Sequence, residues 1–153
     1  MGGKRSRSKK LYAASGPPEP LTFFIDAALG RIAVADTLRA EGVNVVLHDE
    51  VFPQGTPDEE WLPELGRRDW ILLTKDDRIR STTAHREILL AAGIRAFILS
   101  GANLPGSAMA EAFRRAAKRM QRVALGERRP FIALVTPSGE VRLLLRGRAR
   151  ARR

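Results

Sequence analysis

The chain has 153 residues, a length typical of a single domain with its own hydrophobic core. It contains no cysteine and only two histidines, which excludes disulfides, thiolate-ligated zinc, cysteine nucleophiles and multi-histidine metal centres. The 27 Lys and Arg residues outnumber the 17 Asp and Glu residues, so the formal net charge is +10.

The excess positive charge is concentrated at the two ends of the chain. Five Lys or Arg residues lie among the first ten positions and six Arg among the last twelve, whereas every acid lies between Glu19 and Glu140. We therefore predict a flexible basic leader over 1–20, a folded domain over 21–145 and a basic tail over 146–153. Such tails either add salt-dependent affinity for polyanions or only improve solubility, and both interpretations stay open.

The sequence contains no signal for a membrane or for export. No apolar run approaches the roughly 20 residues that a membrane-spanning helix needs. The basic N-terminus is not followed by an apolar stretch of signal-peptide length. We therefore expect a cytoplasmic protein with no membrane partner, and we leave open whether it forms a homodimer.

Strand and helix patterns alternate along the predicted domain. Short apolar runs rich in β-branched and aromatic residues predict four buried strands. Runs with apolar residues at helical spacing predict four helices, and two last apolar runs around a Pro-Ser-Gly turn predict a hairpin. The strands are expected over 21–25, 43–47, 70–73 and 94–99, the helices over 29–41, from 58 onward, 82–92 and 107–125, and the hairpin over 131–145.

This order of elements predicts an α/β protein. The expected architecture is a three-layer α/β/α sandwich with a mainly parallel central sheet, right-handed crossovers and a C-terminal β-hairpin. In sheets of this kind, ligands bind just beyond the carboxyl ends of the strands. Residues at those ends are therefore the first candidates for a functional site.

Acidic residues stand at this position in three places. If the sheet is parallel, the three places meet along one edge, and clustered carboxylates raise one another's pKa unless a cation lies among them. With no Cys and no clustered His, Mg²⁺ or Mn²⁺ is the favoured ion. Taken singly, an acid at such a position is more often a turn former or a helix cap. The acids are Asp26 after the first strand, Asp58, Glu59 and Glu60 at the helix after the second, and Asp76 and Asp77 after the third.

At these positions the chain resembles the PIN-like domains, and within them the VapC-related bacterial toxins. The resemblance rests on Phe23-Phe24-Ile25-Asp26, Pro57 to Leu62 and Ile71 to Asp77, and it covers about residues 21–145. It implies a three-layer α/β/α fold and metal-dependent hydrolysis of RNA. It also implies a cognate antitoxin protein as partner, in a type II toxin–antitoxin pair.

The resemblance assigns roles to individual acids. Asp26 matches the family's first-strand aspartate, and Asp76 matches the aspartate of its Thr-x-Asp segment, with Asp77 as a supporting acid. Asp58 and Glu60 both fit the middle metal ligand, and we expect only one of them to face the ion. Many family members have a further aspartate after the fourth strand, where this chain has Ser100-Gly101-Ala102-Asn103, so one or two metals remain open.

Basic residues near the acids and on the helix predicted over 107–125 are candidates for binding RNA. Positive side chains of this kind hold phosphates beside a metal centre, although a solvated helix face explains the same pattern. The candidates are Lys75, Arg78, Arg115, Lys118, Arg119 and Arg122. His48 and His85 are expected to be structural or surface residues, and the two tryptophans are expected to pack in the core.

Two hypotheses of different classes follow. The first is an Mg²⁺- or Mn²⁺-dependent ribonuclease, in which the acids bind metal and water is the nucleophile. The second is a non-catalytic module that binds nucleic acid or a protein partner on the same fold. The missing fourth acid and the cationic ends of the chain motivate the second hypothesis, which predicts salt-sensitive binding that does not depend on metal.

Overall fold

A computed structural model describes residues 21–75, 82–101 and 103–146. The predicted leader, the positions after Arg146 and the candidate site residues Asp76, Asp77 and Arg78 lie outside these ranges. In the part of the chain that is described, no helix is both long and apolar enough to cross a membrane.

Six strands form one sheet that is parallel except at one edge. They are β1 (Thr22–Ile25), β2 (Asn44–Leu47), β3 (Ile71–Thr74), β4 (Arg95–Leu99), β5 (Phe131–Val135) and β6 (Val141–Arg146). Their spatial order is β2-β1-β3-β4-β5-β6, and β6 alone runs antiparallel to its neighbour. The predicted α/β class, the mainly parallel sheet and the C-terminal hairpin are confirmed.

Helical segments connect the parallel strands. Those in the described residues are a 3-10 turn (Ala27–Leu29), α1 (Ala33–Ala40), α2 (His48–Val51), α3 (Asp58–Arg68), α4 (Thr83–Ala91) and α5 (Gly106–Gly126). The helix predicted over 29–41 is wrong in its first turn, because Gly30, with a φ of 86°, ends the 3-10 turn before α1 begins. The short helix α2 was not predicted, and Glu50 stabilises it by accepting a hydrogen bond from the Leu47 backbone N–H at 2.9 Å.

The helices cover both faces of the sheet, because side chains along each strand alternate between the faces. Phe23, Ile25 and Leu73 point to the face covered by α1 and α5. Phe24 and Leu72 point to the face covered by α3 and α4. Strands buried on both faces are typical of parallel sheets, which explains why the strand sequences read as continuous apolar runs.

One crossover differs from the expected hand. Right-handed connections throughout would place α5 on the face of α3 and α4. It lies instead on the face of α1, so the β4–α5–β5 connection has the opposite hand to the other three. On that face α5 packs against α1, with Gly106 beside Ala33.

A charged cluster joins three segments at the amino-terminal edge of the sheet. Arg95, nine-tenths buried at the start of β4, donates to the Ala124 carbonyl near the end of α5 at 2.9 Å. Its Nη2 atom lies 3.0 Å from Oδ1 of Asp69, the residue after α3. The same oxygen lies 2.8 Å from Nη1 of Arg129. These contacts tie the ends of α3 and α5 to the sheet.

The contact between α3 and the residues after α4 depends on a glycine. A Cβ atom on Gly66 would overlap the backbone carbonyl oxygen of Ala92, which cannot move away as a flexible side chain would. Gly66→Ala is therefore expected to lower the free energy of unfolding by about 2–3 kcal/mol, as measured by urea denaturation.

Gly126→Ala is the matched control for this prediction. Gly126 is also helical, but a Cβ atom there would meet no atom within 4 Å. This variant should be as stable as the wild-type protein or slightly more stable. Equal stability of the Gly66→Ala and wild-type proteins would contradict the close packing of α3.

Candidate active site

The carboxyl ends of β1 and β3 lie side by side where the strand order reverses. From β1 the chain passes to β2 on one side, and then crosses to β3 on the other. Ile25 pairs with Leu73 in the parallel register, and the Asp26 backbone N–H donates to the Leu73 carbonyl at 3.0 Å. Such a reversal point is where open α/β sheets bind their ligands.

Asp26 and Thr74 are in direct contact at this point. The Thr74 hydroxyl, which is fully buried, donates a hydrogen bond of 2.7 Å to Oδ2 of Asp26. Asp26 is half-buried, and its extended backbone leads from β1 into the 3-10 turn. The buried hydroxyl therefore orients the carboxylate. Thr74 was not predicted to have a role, although its place in the Thr-x-Asp segment was a signal for one.

Asp58 lies at the start of α3 and faces the start of α4. Its Oδ2 atom is 4.0 Å from Nε2 of His85, and the two helices pack on the same face of the sheet. The Nδ1 atom of His85 is buried and has no hydrogen-bond partner in the described structure. His85 was expected to be a structural or surface residue, and its approach to a candidate metal ligand was not predicted.

Glu60, the other candidate for the middle ligand, lies elsewhere on α3. It is exposed and lines an open groove with Thr56, Glu64 and Arg68, whereas Asp58 does not line this groove. Hydrogen bonds from Arg68 and then Arg67 hold the pKa of the Glu64 carboxyl below its usual value. Glu59 is exposed as well. Asp58 and Glu60 therefore lie on different surfaces of the protein.

The predicted site is described in part. Asp76, Asp77 and Arg78 lie outside the described residues, and Lys75 is half-buried directly after β3. Among the residues that the structure describes, no three His, Asp or Glu side chains are grouped so that they could hold a metal ion. Asp26–Thr74 and Asp58–His85 are two contacts that the predicted metal ligands make in the described part of the chain.

The predicted RNA-binding residues of α5 are exposed, but they lie on the helix that covers the opposite face from α3. Arg115 is 3.0 Å from Glu111, and Arg119 donates to the Gly139 carbonyl at 3.0 Å. Hydrogen bonding to Arg114 lowers the pKa of Glu111 to about 2, so this carboxylate stays charged and offsets part of the basic surface. Lys118 and Arg122 project into solvent.

Comparison with known proteins gives one family match. The model of the family described as "PIN like domain" matches residues 21–101, which is more than half of the chain. The match spans β1 to β4 and so includes Asp26, Asp58 and Thr74. No curated protein and no solved structure gives a significant match. With this match and a six-stranded, mainly parallel α/β sheet, the chain belongs to the PIN-like domain family.

Proposed function

We propose that the protein is an Mg²⁺- or Mn²⁺-dependent ribonuclease that hydrolyses phosphodiester bonds. The observation that carries the proposal is the Asp26–Thr74 pair, a carboxylate oriented by a buried hydroxyl at the reversal point of the sheet. The PIN-like family consists generally of nucleases, and the chain belongs to that family. A fixed carboxylate at this point is what a metal-dependent nuclease needs.

The proposed donor set fits a hard divalent cation. Asp26 and Asp58 offer carboxylate oxygens, the ligands that Mg²⁺ and Mn²⁺ prefer. In the proposal, Asp26, Asp58 and Asp76 hold the ion, Asp77 supports them, and Glu60 is the alternative to Asp58. When bound, the ion supplies Lewis-acid activation of water and of the phosphodiester.

The remaining residues act by positioning. Thr74 keeps the Asp26 carboxylate in one orientation, and His85 approaches Asp58 from α4. Lys75 and Arg78 flank the acid segment and would contact the phosphate of the RNA. The basic side chains of α5 would hold the RNA by its other phosphates, without reading its sequence.

We further propose that the protein is the toxin of a type II toxin–antitoxin pair in the cytoplasm, with an antitoxin as its protein partner. The resemblance of the three acidic segments to VapC-related toxins supports this assignment. Expression of the chain alone should arrest growth of a bacterial host, and co-expression of an adjacent small open reading frame should restore growth. Growth arrest that persists in an Asp26→Asn variant would argue against it.

The non-catalytic hypothesis has one observation in its favour. The exposed cations of α5 lie on the face opposite α3, so they form a surface that does not depend on Asp58. Under this hypothesis the protein binds RNA equally well with Mg²⁺ or EDTA, and the Asp26→Asn change has no effect. The two hypotheses therefore differ in whether metal and Asp26 matter.

Asp26→Asn should reduce RNA cleavage by at least a factor of about 1,000, since several kcal/mol of transition-state stabilisation depend on a metal site. The measurement is cleavage of single-stranded and structured RNAs with Mg²⁺, Mn²⁺ or EDTA. Asp36→Asn is the matched control, because Asp36 is an exposed acid on α1. Cleavage retained in Asp26→Asn, or in EDTA, would refute the nuclease proposal.

Thr74→Val should keep the fold but lose the hydrogen bond that orients Asp26. We expect cleavage to fall about 10- to 100-fold, as for other groups that orient metal ligands, and the free energy of unfolding to fall by about 1 kcal/mol. Thr74→Ser keeps the hydroxyl and should retain most of the activity. If Thr74→Val and Thr74→Ser have equal activity, the hydroxyl has no role.

Replacing Lys118 and Arg122 together by Ala should weaken RNA binding to the same extent for every RNA sequence. Removing two phosphate contacts lowers the slope of log affinity against log salt concentration by about 1.4 for a single strand. Fluorescence anisotropy in a salt series measures this slope. Arg67→Ala, on the other face, is the control. An unchanged slope in the double variant would remove α5 from the RNA interface.

A further inference from the structure

A cavity of about 350 Å³ opens beside Asp26 at the carboxyl ends of β1 and β2. Ile25 and Ala27, the two chain neighbours of Asp26, both line it, together with Leu47 from the end of β2. Its volume is near the lower end of the range of about 300–1,000 Å³ for small-ligand sites. The cavity is therefore large enough for one flat, ring-containing group next to the candidate active site.

His48 is the buried polar side chain of this cavity. Only 9% of the residue is exposed, and its ring packs against the rings of Phe52 and Trp61, with centroids 5.5 and 5.2 Å away. The ring of Phe24 lies 5.8 Å away. These aromatic contacts hold the imidazole rigidly, while its place in the cavity lining leaves it able to meet a ligand.

The other polar groups of the cavity lie at its rim. Arg31 forms an ion pair of 2.8 Å with Asp49, and both residues line the cavity. Gln54 contributes a side-chain amide from the exposed loop after α2. A histidine and an amide can each donate and accept hydrogen bonds, and the exposed guanidinium of Arg31 suits a phosphate.

We propose that this cavity binds one unpaired base of the RNA, adjacent to the bond that is cleaved. A nucleobase has flat apolar faces and a polar edge, which match the walls formed by Ile25 and Leu47 and the polar groups of His48 and Gln54. Binding of this base would determine which phosphodiester bond is cleaved, while Arg31 contacts a flanking phosphate. The role as a cleavage-site pocket rests on the proposed ribonuclease function, but the binding of a base does not.

Binding of a base can be tested without cleavage. The full-length protein is titrated in EDTA with the four nucleoside 5′-monophosphates, one at a time, and the imidazole resonances of His48 and the side-chain amide of Gln54 are followed by NMR. We expect one or two of the four nucleotides to bind more tightly than the others and to shift both signals. Equal binding of all four, or shifts that spare both residues, would overturn the proposal.

Two variants test the residues directly. His48→Phe keeps a ring among Phe24, Phe52 and Trp61 but removes the nitrogens, and Gln54→Ala removes an amide from an exposed loop. Each variant should bind the preferred nucleotide with about tenfold lower affinity, the effect of one lost hydrogen bond. Gln121→Ala, on α5, is the matched control and should bind as the wild-type protein does. Unchanged affinity in both cavity variants would overturn the proposal.

The cleavage-site role is tested by sequencing the ends that the protein produces from a random RNA pool. We expect a preferred base at one position beside the cut, and this preference should fall at least fivefold in His48→Phe or Gln54→Ala but not in Gln121→Ala. An unchanged preference would overturn the role in site selection. Selective nucleotide binding without any RNA cleavage would refute the proposed ribonuclease and leave a base-binding cavity, so the two failures are distinguishable.

Discussion

Strand β1 is hydrogen-bonded on both of its sides, and this pairing positions both hydrophobic cores and the candidate site. This strand lies between β2 and β3, and Phe23, Phe24 and Ile25 are at most 1% exposed. Its side chains reach both cores, so a shift by one residue would exchange the two faces. The same register sets Asp26 beside Thr74 and puts Ile25 and Ala27 into the cavity wall. Strand β1 therefore contributes both to the hydrophobic cores and to the candidate site.

Most of the fold was predictable because the parallel strands are continuous apolar runs and the long helices have a clear period. The strand Ile71–Thr74 and the helix Gly106–Gly126 are examples, each found within one residue of its predicted bounds. The break at Gly30 and the short helix at His48 depend on local turn conformation that a periodicity does not contain. The face that α5 covers was not predictable either, since it depends on how α5 packs against α1.

Only those residues of the candidate site that lie at the ends or starts of secondary-structure elements could be predicted from the sequence. Asp26 and Asp58 come at the ends or starts of elements, which the pattern of the sequence locates. The hydrogen bond from Thr74 and the approach of His85 join segments 48 and 27 residues apart, so no local pattern contains them. His48 was expected only to be a structural or surface residue, because its position beside an open cavity, among aromatic rings, is visible only in the folded chain.

The position of the Arg95–Asp69–Arg129 cluster affects which substitutions this protein can accept during evolution. It fastens the helix ends at the amino-terminal edge of the sheet, whereas Asp26, Thr74 and the cavity lie at the carboxyl edge. Substitutions at either edge are separated by the length of the strands, and effects of distant sites usually add independently. Substitutions in the cavity lining can thus change the specificity of the protein while the stabilising cluster stays intact. New specificity can therefore evolve without a loss of folding stability.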